Sequence, residues 1–314
     1  MPDPAGRAPV IDAHQHCWDP ATVDYDWLGP ELAPINKAMV FAEVSPELDA
    51  AGVDASILVQ SADSRADTDY MFGLAAVEPR VAAIVGWVPL DRPDLVDGHL
   101  DELGDRSGFV GVRSLIHNQV DPDWLLRPTV QQGLRALAGR GLTFDVVAVL
   151  PRHLEHVPLL ARRHPDLRIV IDHLAKPPFT RDPDQFRRWR ELVVQAARHP
   201  LVHAKVSGLY PTNRDPADWS ADELRPAFDV ALEAFGVQRL MFGGDWPISV
   251  LAGGYSRVWA ALSELFAGLS GAERAAILGR TAATFYEIPA DRLAAATGRA
   301  RTRPTLTRVP GCGA

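Results

Sequence analysis

Leu142-Thr143-Phe144-Asp145-Val146-Val147, then the stretch 153–164, then Arg168-Ile169-Val170-Ile171-Asp172-His173 follow one another in the middle of the chain. The two outer segments are short and nearly continuous in apolar residues. A strand covered on both faces reads this way, whereas a strand with one wet face alternates apolar and polar. The middle stretch carries Leu154, Val157, Leu160 and Ala161 at helical spacing and stops before Pro165. A helix ended by proline turns the chain back for the next strand. The unit therefore reads strand, helix, parallel strand.

Outward from this unit the pattern recurs. Strand-like runs occupy residues 10–16, 55–60, 81–90, 109–116, 142–147, 168–173, 202–207 and 239–245. Amphipathic helices are predicted over 128–140, 153–164, 186–199, 221–235 and 255–266. Eight runs with helices between them fit a single (β/α)8 TIM barrel better than an open doubly wound sheet. No G-x-G-x-x-G follows the first run, which counts against a dinucleotide fold. The barrel is assigned to residues 10–290, with an N-terminal tail over 1–9. A C-terminal tail over 291–314 is rich in Arg, Thr and Pro, and either flexibility or packing on a neighbouring subunit would suit it.

The 314 residues carry a net charge of −8. A nucleic-acid surface must be basic, so that class is disfavoured. No apolar stretch approaches the roughly 20 residues that cross a bilayer, and the first residues lack the apolar core of a secretory signal. Two cysteines, Cys17 and Cys312, are too few for a disulfide scaffold, which points to a reducing cytoplasm. The expected partner is a small-molecule substrate, with neither nucleic acid nor membrane, and a homo-oligomer is left open.

Barrel active sites lie where strands end. The first run ends Asp12-Ala13-His14-Gln15-His16, and residues two apart on a strand share a face, so both imidazoles point into the mouth. Two such imidazoles make half of a metal site, although two structurally satisfied histidines would read identically. The eighth run ends Gly243-Gly244-Asp245-Trp246-Pro247. In a closed barrel that run lies beside the first, which brings Asp245 to His14 and His16; an N-cap or Asx-turn is its structural alternative. The sixth run adds His173 at the same rim. Arg113, Lys205 and Lys176 occupy matching places, as a substrate clamp or as ion pairs with Glu43, Asp145 or Asp172. Trp18, Trp27, Trp87, Trp124 and Trp246 lie near the strand ends, mostly as packing. Cys17 also reads as packing.

Taken together, Ile11–Asp19, Ile57-Leu58-Val59-Gln60, Gly111-Val112-Arg113, Asp172-His173-Leu174-Ala175-Lys176-Pro177, Lys205-Val206-Ser207-Gly208 and Met241–Pro247 resemble the amidohydrolase superfamily. Within it they are similar to the sugar-lactonase branch, which includes fuconolactonases, rhamnonolactonases and the sulfomuconolactone and pyrone-dicarboxylate hydrolases. The resemblance spans nearly the whole barrel. It implies opening of a sugar lactone or small carboxylated lactone to the hydroxy acid, with Asp245, His173, His14 and His16 as catalytic residues. Asp245 is then the general base and proton carrier. Arg113 is the leading substrate contact and Lys205 the second, with Lys176, His117, Trp18 and Trp246 as further contacts. The fifth run offers no histidine, so a binuclear centre is not expected. Two arrangements stay open: one divalent metal, zinc by first choice, held by His14, His16, His173 and Asp245, or the metal-independent route of the pyrone-dicarboxylate hydrolases.

Departures from the family pattern cluster near the expected pocket. His117-Asn118-Gln119-Val120 stands where an acidic pair is common, Ser114 where histidine is common and Ser249 where cysteine is common. Alternative readings are a metal-dependent decarboxylase or an amide or ester hydrolase on the same barrel, a member repurposed for an unfamiliar substrate, or a binding protein without turnover.

Overall fold

A computed structural model describes residues 7–179, 182–211, 215–216 and 218–302. Eight strands run in chain order around one parallel sheet: β1 (Ile11–Gln15), β2 (Ala55–Val59), β3 (Val81–Gly86), β4 (Phe109–Ser114), β5 (Thr143–Val146), β6 (Ile169–Ile171), β7 (Val202–Val206) and β8 (Leu240–Phe242). Every strand residue is buried except His203 of β7, which is half-buried. This is the cause of their largely apolar sequence, interrupted by buried polar residues such as Asp12, His14, Arg113, Asp145 and Lys205. The outer helices are α1 (Phe41–Ala51), α2 (Arg65–Val77), α3 (Pro93–Gly104), α4 (Pro128–Gly139), α5 (Pro151–Arg163), α6 (Pro183–Ala197), α7 (Ala221–Phe235) and α8 (Tyr255–Phe266). The architecture is the (β/α)8 barrel that the sequence predicts.

Two differences from the sequence pattern have simple physical causes. Helices α5 and α6 start two or three residues earlier than their apolar spacing suggests, at Pro151 and Pro183. Proline suits a first helical turn, where its missing N–H needs no partner. Strands β6 and β8 end sooner than their apolar runs, because Asp172–Ala175 and the residues after Phe242 bend out of the sheet. Those bends carry the polar residues of the mouth.

After α8 the chain continues through α9 (Gly271–Ala275), a π turn (Ala276–Arg280), α10 (Thr281–Phe285) and α11 (Ala290–Thr302). Phe285, Tyr286 and Ile288 pack with Ile11, Ile57 and Val85 in one buried cluster, so this segment packs against residues of the inner strands. Arg292 donates to the carbonyls of Val81 and Ala82 at 2.8 and 3.0 Å. The start of the segment that the sequence sets apart as a C-terminal tail is therefore a helix bound to β3, and residues 303–314 lie outside the described residues.

The seam between β1 and β8 is the step that rolls the sheet into a barrel. Asp245 N–H donates to the His14 carbonyl at 2.8 Å, and His16 N–H to the Trp246 carbonyl at 2.7 Å. Asp12 pins the same seam from within: its carboxylate accepts from Gly244 N–H at 2.9 Å, His14 N–H at 3.0 Å and the Tyr255 hydroxyl at 3.0 Å. Burial pushes this carboxyl up to about 6, against the three hydrogen bonds that lower it. A side chain on Gly244 would meet Tyr255 and Asp12, so the close approach requires glycine. Leaving buried donors without acceptors costs about 1–3 kcal/mol each. Asp12→Ala is therefore expected to lower folding stability by several kcal/mol, and Asp12→Asn by much less. Equal denaturant midpoints for the two variants would remove Asp12 from the seam.

Candidate active site

The three predicted histidines and Asp245 converge at the C-terminal end of the strands. His14 and His16 project from the end of β1, with Nε2 atoms 3.1 Å apart. The ring of His173 lies 4.5 Å from that of His14, centroid to centroid. One oxygen of Asp245, Oδ1, stands 3.6 Å from His16 Nε2 and 3.8 Å from His14 Nε2. Its other oxygen accepts from the Tyr210 hydroxyl at 2.7 Å.

Burial alone would push the Asp245 carboxyl up. The His173 ring, the bond to His16, the Lys176 ammonium and His14 outweigh burial and hold it well below the ordinary carboxylate range. Asp245 is thus a buried, fully ionised group. Burial lowers all three imidazoles, His173 to about 3, so they are neutral near pH 7.

Local backbone geometry aims these groups. His173, Leu174, Ala175 and Lys176 all have φ between 49° and 58°, one left-handed turn built without glycine. Each such residue costs roughly 1–2 kcal/mol, a strain of the kind that clusters at functional sites. The turn presents His173, whose Nδ1 lies 2.9 Å from Ser207 Oγ, and swings Lys176 to the cavity. Gly208, at φ 55°, passes so close that a Cβ there would lie 2.5 Å from His173 Nδ1 and 2.8 Å from Asp245 Oδ2.

Beneath the site is a network of buried charges. Lys205 Nζ meets Asp145 Oδ2 at 2.6 Å, Asp172 Oδ1 at 3.1 Å and His14 Nδ1 at 3.1 Å. Arg113 binds Asp172 at 3.2 Å and donates to the Gln60 carbonyl. Tyr286 donates to Asp145 at 2.8 Å. Burial raises Asp145 to about 6 against the pull of Lys205. Burial also opposes the ionisation of Asp172, but Lys205, His14 and Arg113 together keep it charged.

The cavity above Asp245 measures about 200 Å³. Its polar wall includes His16, Ser61, Arg113, His117, His173 and Lys176, and Trp18, Trp27, Leu115, Val147, Val149 and Ile248 give it an apolar side. Of the expected substrate contacts, Arg113, Lys176, His117 and Trp18 line it. Lys205 does not: it is fully buried below His14, its ammonium already held by two carboxylates. Trp246 is buried at the seam behind the cavity. Glu43 pairs with Lys37 on the surface, not with the inner cations. Asn118 and Gln119 face a neighbouring hollow with Asp24, Asp26 and Asp63, while Ser114 and Ser249 are buried away from the cavity. Cys17 is a buried free thiol pushed up by burial, in keeping with packing.

Tyr210, Ser61 and Ser207 were not found by sequence reasoning. Only the position of Ser207 at the end of the β7 run offered a hint. Tyr210 follows that run by three residues and reaches Asp245 through the Gly208 bend, which no periodicity reveals.

Among the described residues, atoms that could hold a metal form two groups, each spanning no more than 4.8 Å: His14, His16 and Asp245, and His14, Asp172 and His173. His173 thus does not join the other three expected ligands in one group. The donors of the first group fit a divalent cation. His16 Nδ1 lies 2.7 Å from the Val59 carbonyl; donating its proton there leaves Nε2 a lone pair facing His14 Nε2. Two facing ring nitrogens 3.1 Å apart need a proton or a cation between them. Without a metal, His14 carries the proton on Nε2 and its Nδ1 accepts from Lys205. With a metal, the proton moves to Nδ1, where Asp172 Oδ1 stands 3.2 Å away. Lys205 serves Nδ1 in the first tautomer and Asp172 in the second.

The family profile described as amidohydrolase matches residues 11–288. This chain belongs to the amidohydrolase family. L-fucono-1,5-lactonase of Burkholderia ambifaria is 36% identical over 284 residues, covering 88% of this chain and 95% of that protein. L-fucono-1,5-lactonase of Burkholderia multivorans is also 36% identical, over 292 residues, covering 89% and 96%. A crystal structure of a Burkholderia multivorans amidohydrolase with bound zinc superposes with a TM-score of 0.81 at 32% identity, covering 90% of this chain and 100% of that one. Among the described residues no helix is long and apolar enough to cross a membrane.

Gly208→Ala tests how tightly the family's site is set in this chain. The added methyl must displace His173 or Asp245, so turnover is expected to fall at least a hundredfold, while circular dichroism of the barrel is retained and stability falls by at least the roughly 1–2 kcal/mol that a non-glycine residue costs at this φ. Unimpaired turnover would show that the left-handed turn and Asp245 have room to move.

Proposed function

We propose that this protein opens a lactone ring by water attack on the carbonyl carbon, releasing the hydroxy acid. The observation that carries this reading is Asp245. It is ionised and buried, is held on one oxygen by Tyr210, and turns the other toward His14 and His16 at the floor of the cavity. The amidohydrolase family and the lactonase relatives support the same reaction class.

Three tasks must be met: deprotonating water, stabilising a tetrahedral oxyanion, and protonating the departing ring oxygen. Asp245 Oδ1 is the atom that takes the proton as the water adds to the carbonyl. The proton then passes from Asp245 to the ring oxygen as the C–O bond breaks, returning the carboxylate to its charged form. Arg113, fixed by Asp172 and Gln60, presents its guanidinium at the cavity wall. It serves the oxyanion or a polar substituent of the substrate. His173 and Lys176 complete the polar wall, and Trp18 and Trp27, in edge contact at 5.1 Å, cover the apolar face of the ring.

His14, His16 and Asp245 are the residues that would hold a divalent cation, zinc first. Such an ion supplies Lewis acidity toward the carbonyl and lowers the pKa of water. The donor set supports this choice, as does the zinc found in the Burkholderia relative. The natural substrate class is a small lactone, with L-fucono-1,5-lactone and related six-membered sugar lactones the first to examine. The scarcity of cysteine supports a cytoplasmic setting.

A turnover screen over sugar and carboxylated lactones, with and without chelator, tests the reaction class. Asp245→Asn should reduce kcat about a thousandfold or more with the fold intact; near-normal turnover would take the base role from Asp245. Calorimetric titration of the apoprotein with zinc should show one site that His16→Ala weakens by about two orders of magnitude. Unchanged affinity in that variant would place any bound ion elsewhere.

A further inference from the structure

The cavity above Asp245 shares part of its wall with a neighbouring hollow. Val149 and Lys176 line both, and the hollow lies between the loop after β5, the left-handed turn and α6. That hollow is larger, about 490 Å³ against about 200 Å³. Leu154, Trp189 and Leu192 are buried beneath it. The Trp189 indole N–H is spent on the Leu174 carbonyl at 2.8 Å, leaving the ring as apolar surface. Val149 and Leu150 stand 42% and 47% exposed at the edge. Consecutive large apolar side chains exposed beside a catalytic cavity lose free energy unless something apolar covers them.

Size points the same way. Small-molecule sites usually span about 300–1,000 Å³, and the inner cavity alone holds one small ring. The outer hollow has the wrong character for sugar hydroxyls, since its inner surface offers aliphatic and indole carbon. Its polar members are Lys176 at the edge shared with the inner cavity and Asp184, Gln185 and Arg188 of α6, and Arg188 is already paired with Glu155 at 2.6 Å.

We propose that this hollow is a second subsite of the same substrate site, taking an alkyl or aryl substituent carried by the lactone ring. The chain then prefers lactones with an apolar branch over bare sugar lactones. The ring's seat at Asp245 rests on the lactonase reading above. The apolar subsite rests on adjacency to that cavity, across the wall that Val149 and Lys176 contribute to both. Val149 and Lys176 stand at the junction, where the substituent leaves the ring.

The test is a series of δ-lactones with C-linked chains from methyl to octyl, alongside matching lactams that resist hydrolysis. Each methylene that enters the hollow should raise kcat/KM, and lactam affinity by calorimetry, about fourfold. Leu150→Glu, a substitution at a half-exposed position, should flatten both slopes. Lactones hydrolysed at rates independent of chain length, with flat lactam affinity, would overturn the subsite and leave the lactonase reading standing. Lactam affinity that climbs with chain length and flattens in Leu150→Glu, with no lactone opened, would uphold the subsite and sink the lactonase reading. A flat slope with Leu150→Glu converting a dimer to a monomer in sedimentation would assign the hollow to a second copy of the chain and overturn the proposal.

Discussion

The ammonium of Lys205, buried without exposure at the heart of the barrel, is the interaction on which the site depends. A lone buried cation is too costly to keep, so two carboxylates from neighbouring strand ends must meet it. Asp145 comes from β5 and Asp172 from the end of β6, with Lys205 itself on β7. Once satisfied, the cluster fixes more than charge. Asp172 holds Arg113 on β4, and Lys205 and Asp172 together face Nδ1 of His14 on β1. Five strands are thereby referred to one point, and the His14 imidazole, itself fully buried, is oriented from below.

Above this base, Asp245 is set by groups of a different origin. Tyr210 reaches it from the loop after β7 and its own N–H is tied to His14 across the seam. Its backbone at φ 53° and the left-handed turn at His173 are both conformations that most sequences avoid. The chain accepts them because the packed barrel around them over-determines their positions. The paired charges of Lys205, Asp145, Asp172 and Arg113 thus lie under the site, while the strained backbone carries Asp245, His173 and Lys176 above them.

Much of this was legible in the sequence for a definite reason. Strands buried on both faces, such as Ile169-Val170-Ile171, have no polar residue to mask them, so the barrel shows as a count of apolar runs. His14, His16, His173 and Asp245 could be placed because chain order in a closed barrel determines which strand ends are neighbours. Lys205 was harder to read. Its sequence position matches that of a mouth cation, and only the three-dimensional meeting with Asp145 and Asp172 shows that its charge is consumed inside. Tyr210 was invisible because a phenol in an irregular loop carries no period. The turn His173–Lys176 was invisible because none of its residues is the glycine that usually marks positive φ.

The seam also has a consequence for how the molecule comes into being. Asp12 and Gly244 are 232 residues apart in the chain, yet share a hydrogen bond beside the site. Contacts between such distant residues form late, since a long loop must close before they yield any stabilisation. A ribosome-bound chain that has displayed only its first seven strands has His14 and His16 but no Asp245 to face them. The His14, His16 and Asp245 cluster therefore cannot assemble until the eighth strand has been made and the seam has closed.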